Sequence, residues 1–153
     1  MTYEQTVKLL NDLLIKNCDA EQGYQHSAGK CDQYTGIFYF LESQSEMRQS
    51  FAREISKMIA RFGAKPDYWA CFSEKAHQAW DRLRSIGADG NRVLVECKRG
   101  EEAALEIYDR ILACENLPSL VRDLLLNQRE QIGLSLAQIK SRLGGGESGA
   151  CAA

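Results

Sequence analysis

The sequence has few of the residues that interrupt helices or build a common catalytic or metal site. Of its 153 residues, two are proline and two are histidine. Pro66 and Pro118 both fall between stretches of helical periodicity, so long helices can form without an internal break. The chain has no Cys-x-x-Cys pair, no G-x-S-x-G, no H-E-x-x-H, no P-loop and no dinucleotide fingerprint. These absences argue against the common zinc, iron–sulfur, hydrolase and nucleotide-binding classes, and a non-enzymatic protein is favoured.

Neither the charge nor the hydrophobicity of the chain points to nucleic acid or to a membrane. The formal net charge is −2, acidic and basic residues are interspersed along the chain, and no basic tract stands out. No apolar run approaches the ~18 residues of a membrane span. The first residues lack the regions of a signal peptide, so we expect a cytoplasmic protein. The sequence identifies no partner, and both a homo-oligomer and a protein partner stay open.

The six cysteines are scattered along the chain. They are Cys18, Cys31, Cys71, Cys97, Cys114 and Cys151. In a chain without a secretion signal, this spacing favours reduced thiols, and disulfide bonding is the alternative.

Apolar residues recur in steps of three and four along four segments, which is typical of amphipathic helices. Thr2 and Gln5 predict a capping box for a first helix that ends near Ala28. Asp32 is the predicted N-cap of a second helix, which Gly63 closes.

A third helix follows Gly90, and Leu117-Pro118 begins the fourth. Both pairs of consecutive helices are joined by tight turns and should be antiparallel. Between the pairs lie about 27 residues, with a short helix capped by Ser73, which is long enough to return along a bundle. The predicted fold is all-α: a ferritin-like four-helix bundle over residues 1–143, with a long crossover carrying a short extra helix. The Gly-rich tail, residues 144–153, is predicted to be disordered.

The sequence also resembles a bacterial family of ferritin-like four-helix-bundle proteins of unknown function over about residues 3–143. The order and spacing of short motifs carry this resemblance. They are Leu10-Asn11-Asp12-Leu13 with Asp19, Gly23 and Tyr24; Arg48 with Phe51; His77-x-x-Trp80; and Glu96 with Arg99-Gly100-Glu101. The resemblance implies the bundle fold and implies no activity.

Polar residues interrupt the apolar stripes and predict a polar layer inside the bundle. Glu21 falls on the stripe of the first helix, and Glu101 falls on that of the third. Their heights, with those of Glu42 and Gln128, allow one shared layer. Carboxylates suit iron or manganese, so Glu21, Glu42 and Glu101 form a candidate metal site. A first alternative is that the polar layer binds no metal and fixes the register of the helices. A second is that the apolar stripe of the first helix is broader than drawn, so that Glu21 reaches water.

Histidine usage weakens the metal hypothesis. Ferritin-like di-iron sites use Glu-x-x-His on two long helices, whereas Glu74-x-x-His77 falls in the short crossover helix. We interpret His77 as packing beside Trp80 to seat the crossover. Arg48 is placed roughly 15 Å from Glu21, too far for an ion pair, and is expected to contact another carboxylate or backbone carbonyls.

Three functions follow from these patterns. The first is a non-enzymatic structural or stress-related interaction role, in which stress is an analogy from the fold alone. The second is iron or manganese binding by the carboxylates. The third is a partner-binding module or homo-oligomer, for which Phe40, Trp69 and Phe72 are the candidate apolar patch.

Overall fold

Four long helices make up the part of the chain that the computed structural model describes, residues 1–33, 35–68 and 90–144. They are α1 (Tyr3–Gly29), α2 (Gly36–Arg61), α3 (Gly90–Leu112) and α4 (Ser119–Gly144). These three ranges contain no β-strand. None of the helices in them is long and apolar enough to cross a bilayer.

The predicted capping box opens α1. The Thr2 hydroxyl accepts a hydrogen bond from the Gln5 backbone N–H at 3.2 Å. The Gln5 side chain accepts in return from the Thr2 N–H at 2.8 Å. The two side chains thus pair backbone N–H groups that have no partner within the helix, and the helix begins where the sequence predicted.

The predicted N-cap of α2 is wrong by three residues. Thr35, not Asp32, caps the helix, because the Thr35 hydroxyl accepts from the Phe38 N–H at 3.2 Å. The Thr35 N–H donates to the Asp32 carbonyl at 3.0 Å, so the chain completes a turn before the helix starts. At the other end, Gly63 has φ +78°, a left-handed conformation that glycine adopts readily and that ends α2.

Contacts at the two ends of the bundle define its topology. Ala28 at the end of α1, Ile37 and Val93 at the starts of α2 and α3, and Ile139 late in α4 share one hydrophobic cluster. Helices α2 and α3 therefore start at the same end and run parallel, while α1 and α4 run against them. A parallel α2–α3 pair needs a connection that returns along the bundle, which is the ferritin-like arrangement. The predicted fold class is confirmed.

The interior consists of two hydrophobic clusters. The larger one surrounds Leu10, Leu14, Ile55, Ile59 and Leu125, which are all fully buried. The smaller one is the cluster at the opposite end. Burying each such side chain contributes about 1.5–3 kcal/mol. Helical periodicity predicted these positions because they repeat in steps of three and four.

The expected exposure of Phe40 is wrong, and among the described cysteines the expectation of reduced thiols is wrong for Cys31 alone. Phe40 is only 6% exposed, and the Arg142 guanidinium lies 4.9 Å from the centre of its ring. Its neighbour Tyr39 is exposed instead. Cys31 is disulfide-bonded, whereas Cys18, Cys97 and Cys114 are free thiols.

Several predictions fall outside the described residues. They concern the short crossover helix, Trp69, Phe72, His77, Trp80 and the tail residues 145–153. Gly144, placed in the tail by the sequence, is the last residue of α4.

Replacing the cap of α2 tests the corrected start. Thr35→Ala should lower the free energy of unfolding by about 1 kcal/mol, because it removes the acceptor for the Phe38 N–H. Chemical denaturation measures the loss. Thr35→Ser keeps the hydroxyl and should lie close to wild type; an equal loss in both variants would contradict the assignment.

Candidate functional site

A buried ion pair lies between the two hydrophobic clusters. Arg48 on α2 and Glu101 on α3 are each 2% exposed. Arg48 Nη2 donates to both carboxylate oxygens of Glu101, at 2.9 Å and 2.8 Å. Burial alone lowers the pKa of Arg48, but the Glu101 carboxylate outweighs it and the net pKa is raised. Arg48 therefore remains a cation inside the bundle.

Asn17 connects this pair to α1. Arg48 Nη1 donates to the Asn17 amide oxygen at 2.9 Å. The Asn17 amide nitrogen donates to the Leu13 carbonyl at 2.9 Å and to the Tyr108 hydroxyl at 3.0 Å. Both sides of a fully buried amide are thus satisfied, which offsets the cost of burying it.

Tyr108 and Gln128 extend the network to α4. The Tyr108 hydroxyl donates to the Gln128 amide oxygen at 2.8 Å. The Gln128 nitrogen donates to Glu54 Oε2 at 2.8 Å, which returns the network to α2. Burial raises the pKa of Tyr108 to about 12, so its hydroxyl keeps the proton that this bond requires.

A second tyrosine completes the surroundings of Glu101. The Tyr24 hydroxyl on α1 donates to Glu101 Oε1 at 2.5 Å. Burial, followed by the nearby Glu101 charge, raises the pKa of Tyr24 well above its usual range. We call Asn17, Tyr24, Arg48, Glu101, Tyr108 and Gln128 the polar layer. It draws side chains from all four helices.

The structure brings Glu101 and Gln128 together with Arg48, but not with Glu21 or Glu42. Glu21 is only partly buried. Burial raises the pKa of its carboxyl group, while a hydrogen bond from Gln49 and the charge of Arg53 oppose that rise. Glu42 is likewise partly buried. The side chain of α1 that contacts Arg48 is therefore Asn17, one turn before Glu21.

The described donor set does not fit a ferritin-type metal centre. In the ranges that the structure describes, no three His, Cys, Asp or Glu side chains form a group that could hold a metal ion. Glu101 faces the Arg48 guanidinium, which already supplies a positive charge and bidentate hydrogen bonds. His26, near the end of α1, is partly buried and is not a member of the polar layer.

The late start of α2 accounts for part of the error in the predicted height of Arg48 along the bundle. Asn17 lies twelve residues before the end of α1 at Gly29, and Arg48 lies twelve residues after the start of α2 at Gly36. In an antiparallel pair, equal distances from the turn place residues at equal heights. Counting α2 from Asp32 moved Arg48 about one turn too far along the bundle.

The fold and this interior define a ferritin-like four-helix bundle. The chain belongs to the family described as Domain of unknown function (DUF2383), whose model matches residues 5–114. Among solved structures, a point mutant of Dps1 from Mycobacterium smegmatis is similar, with a TM-score of 0.77 and 16% sequence identity. The match covers 92% of this chain and 96% of the other. At this identity the likeness shows the fold alone. No curated protein matches the sequence.

Removing one member of the buried pair should destabilise the protein strongly. Arg48→Met and Glu101→Gln should each lower the free energy of unfolding by about 3–5 kcal/mol, because each leaves its partner buried without a counter-charge. Urea denaturation measures the change. The exposed Arg129–Asp109 pair, at 2.7 Å, is the matched control: Asp109→Asn should cost less than about 1 kcal/mol. Similar losses at both pairs would contradict this assignment.

Asp19 on α1, beside the polar layer, predicts a pH dependence. Burial raises the pKa of its carboxyl group above 3.8, and Lys16 opposes the rise. A raised folded-state pKa means that the ionised form is disfavoured by folding; the penalty is present at neutral pH and disappears as pH falls below the unfolded value.

Asp19→Asn should therefore raise the midpoint of thermal unfolding at neutral pH and leave it unchanged near pH 3, where Asp19 is protonated in both states. Calorimetry at the two pH values measures this difference. Asp123→Asn, at an exposed position in the first turns of α4, should not raise the midpoint. A gain from Asp19→Asn that is equal at both pH values would contradict the prediction.

Proposed function

We propose that this chain is a non-enzymatic ferritin-like bundle with a structural or stress-related interaction role. The observation that supports it most directly is the position of Arg48. Its guanidinium provides, between Glu101 and Asn17, the positive charge that a metal ion would otherwise bring to a buried carboxylate. The Glu101 carboxylate and the Asn17 amide oxygen are thereby paired with a side chain of the protein itself, and the role of this pairing is to hold the helices in register.

The described cysteines also favour a non-enzymatic protein. Burial raises the pKa of the Cys97 thiol to about 12, so it remains protonated at neutral pH. Cys18 is buried as well. A nucleophilic cysteine requires thiolate character and an adjacent base. Burial of Cys97 disfavours the thiolate instead.

Three individually exposed leucines on one helix support an interaction role. Leu120, Leu126 and Leu134 on α4 are all exposed. Surface apolar residues on one element favour contact with another protein or a second copy of the chain.

Iron or manganese binding is the alternative proposal. In this proposal the metal ligands are the carboxylates predicted from the sequence, Glu21, Glu42 and Glu101. Two points support it: carboxylates suit iron and manganese, and ferritin-like bundles can hold such metals. It would require Glu101 to move away from Arg48, since the guanidinium charge would repel a metal cation bound to the same carboxylate.

Metal analysis separates the two proposals. Purified protein is loaded anaerobically with Fe(II) or Mn(II), desalted and measured by elemental mass spectrometry. We expect well below one metal ion per chain, because the Glu101 oxygens already accept hydrogen bonds from Arg48 and Tyr24.

The variants Glu21→Gln, Glu42→Gln and Glu101→Gln are measured in parallel, with the exposed Glu102→Gln as the control. Near-stoichiometric metal in wild type and Glu102→Gln that is lost in the other three would overturn the leading proposal. It would establish the carboxylate site instead.

A further inference from the structure

A cleft opens between α1 and α3, on one side of the polar layer. Its volume is about 290 Å³. It exists because α1 packs far more closely on α2 than on α3. Small residues line both walls: Ala20 and Gly23 on α1, and Gly100 and Ala104 on α3. At these small residues the two helices leave space between them.

The cleft reaches the buried polar layer. Tyr24, Arg48, Glu101 and Tyr108 all line it. Arg48 Nε is buried and has no hydrogen-bond partner among the described residues, although both other nitrogens of this guanidinium are paired. An unpaired donor on a buried cation is costly. An acceptor supplied from the cleft would remove that cost.

A second residue that lines the cleft, Asp19, also carries an unpaired polar atom. Asp19 Oδ1 is buried and also lacks a hydrogen-bond partner in the described part of the chain. A mainly apolar cavity with a few convergent polar atoms is the usual form of a small-molecule site.

We propose that this cleft binds a small, uncharged, mainly apolar molecule whose hydrogen-bond acceptor pairs with Arg48 Nε. The small and apolar wall residues favour an apolar body. The lining carries charges of both signs, so that no field of one sign selects an ion; the acidic residues are Asp19, Glu96 and Glu101, and the basic ones are Lys16 and Arg48. The inference depends on the cleft and not on the proposed interaction role.

The volume limits the size of the ligand. An engineered apolar cavity of about 150 Å³ holds benzene. A cleft of about 290 Å³ therefore suits a molecule of roughly two fused rings with a carbonyl group. Ordered water is the competing occupant, because one water can also accept from Arg48 Nε.

A pair of probes of equal shape tests the hydrogen bond. Acetylnaphthalene carries a carbonyl acceptor, and isopropenylnaphthalene replaces that oxygen with a CH₂ group. In a ligand-detected NMR titration of the full chain, we expect saturable one-to-one binding of the ketone, tighter by about fivefold or more, since a bond to a charged donor is among the stronger ones. Equal affinities, or no saturable binding of the ketone, would overturn the proposal.

A cavity-filling variant tests the location. A Cβ at Gly100 meets no other atom within 4 Å, and Gly100 lines the cleft. Gly100→Leu should therefore fill the opening, and it should favour the helix because leucine has the higher helix propensity. We expect the ketone affinity to fall at least about tenfold.

Gly133→Leu on α4 is the matched control, because its Cβ also meets open space and Gly133 does not line the cleft. It should bind the ketone like wild type. Ala103→Leu provides a second blocking variant if Gly100→Leu fails to fold. Undiminished binding in a folded blocking variant, or equal loss in Gly133→Leu, would overturn the assignment to this cleft.

Discussion

The buried pair between Arg48 and Glu101 is the interaction on which the arrangement of the helices depends. Each residue would be very costly to bury alone. Together they are neutral, and Asn17 and Tyr24 occupy further hydrogen-bonding positions around them. Because these partners come from α1, α2 and α3, a shift of any one helix along the bundle would leave a charge or an amide unsatisfied. Hydrophobic contacts tolerate small shifts more readily, so the pair provides specificity that apolar packing alone lacks.

The polar layer also explains why the interior divides into two hydrophobic clusters. Leucine and isoleucine side chains on both sides supply most of the apolar burial. Between them, Tyr108 belongs to both environments, with its ring in the larger cluster and its hydroxyl bonded to Asn17 and Gln128. An aromatic ring with a polar end suits such a boundary. The cleft between α1 and α3 opens at the same level, which brings the charged layer close to the surface.

Much of this fold could be predicted from the sequence, because helix periodicity and caps are local. The Thr2–Gln5 capping box and the buried positions Leu10, Leu14, Ile55 and Ile59 follow from spacing alone. The start of α2 was harder to predict than that of α1, since Asp32 and Thr35 are both acceptable caps. Backbone hydrogen bonds of the turn between them decide which one begins the helix. That three-residue difference shifts the predicted heights on α2 by about 4.5 Å, which is part of the reason why Glu101 was paired with the wrong neighbours. The length of the side chains is a second reason. Arg48 and Glu101 can contact each other although their Cα atoms differ in height, and residue counting gives only the heights of the Cα atoms.

The central claim is that Arg48 and Glu101 stabilise the bundle as a coupled unit. A double-mutant cycle of Arg48→Met and Glu101→Leu, measured by denaturation of all four proteins, tests it most directly. The account predicts that the double variant is far more stable than the sum of the single losses implies, with a coupling energy of about 3 kcal/mol or more. Losses that add to within about 0.5 kcal/mol would contradict it.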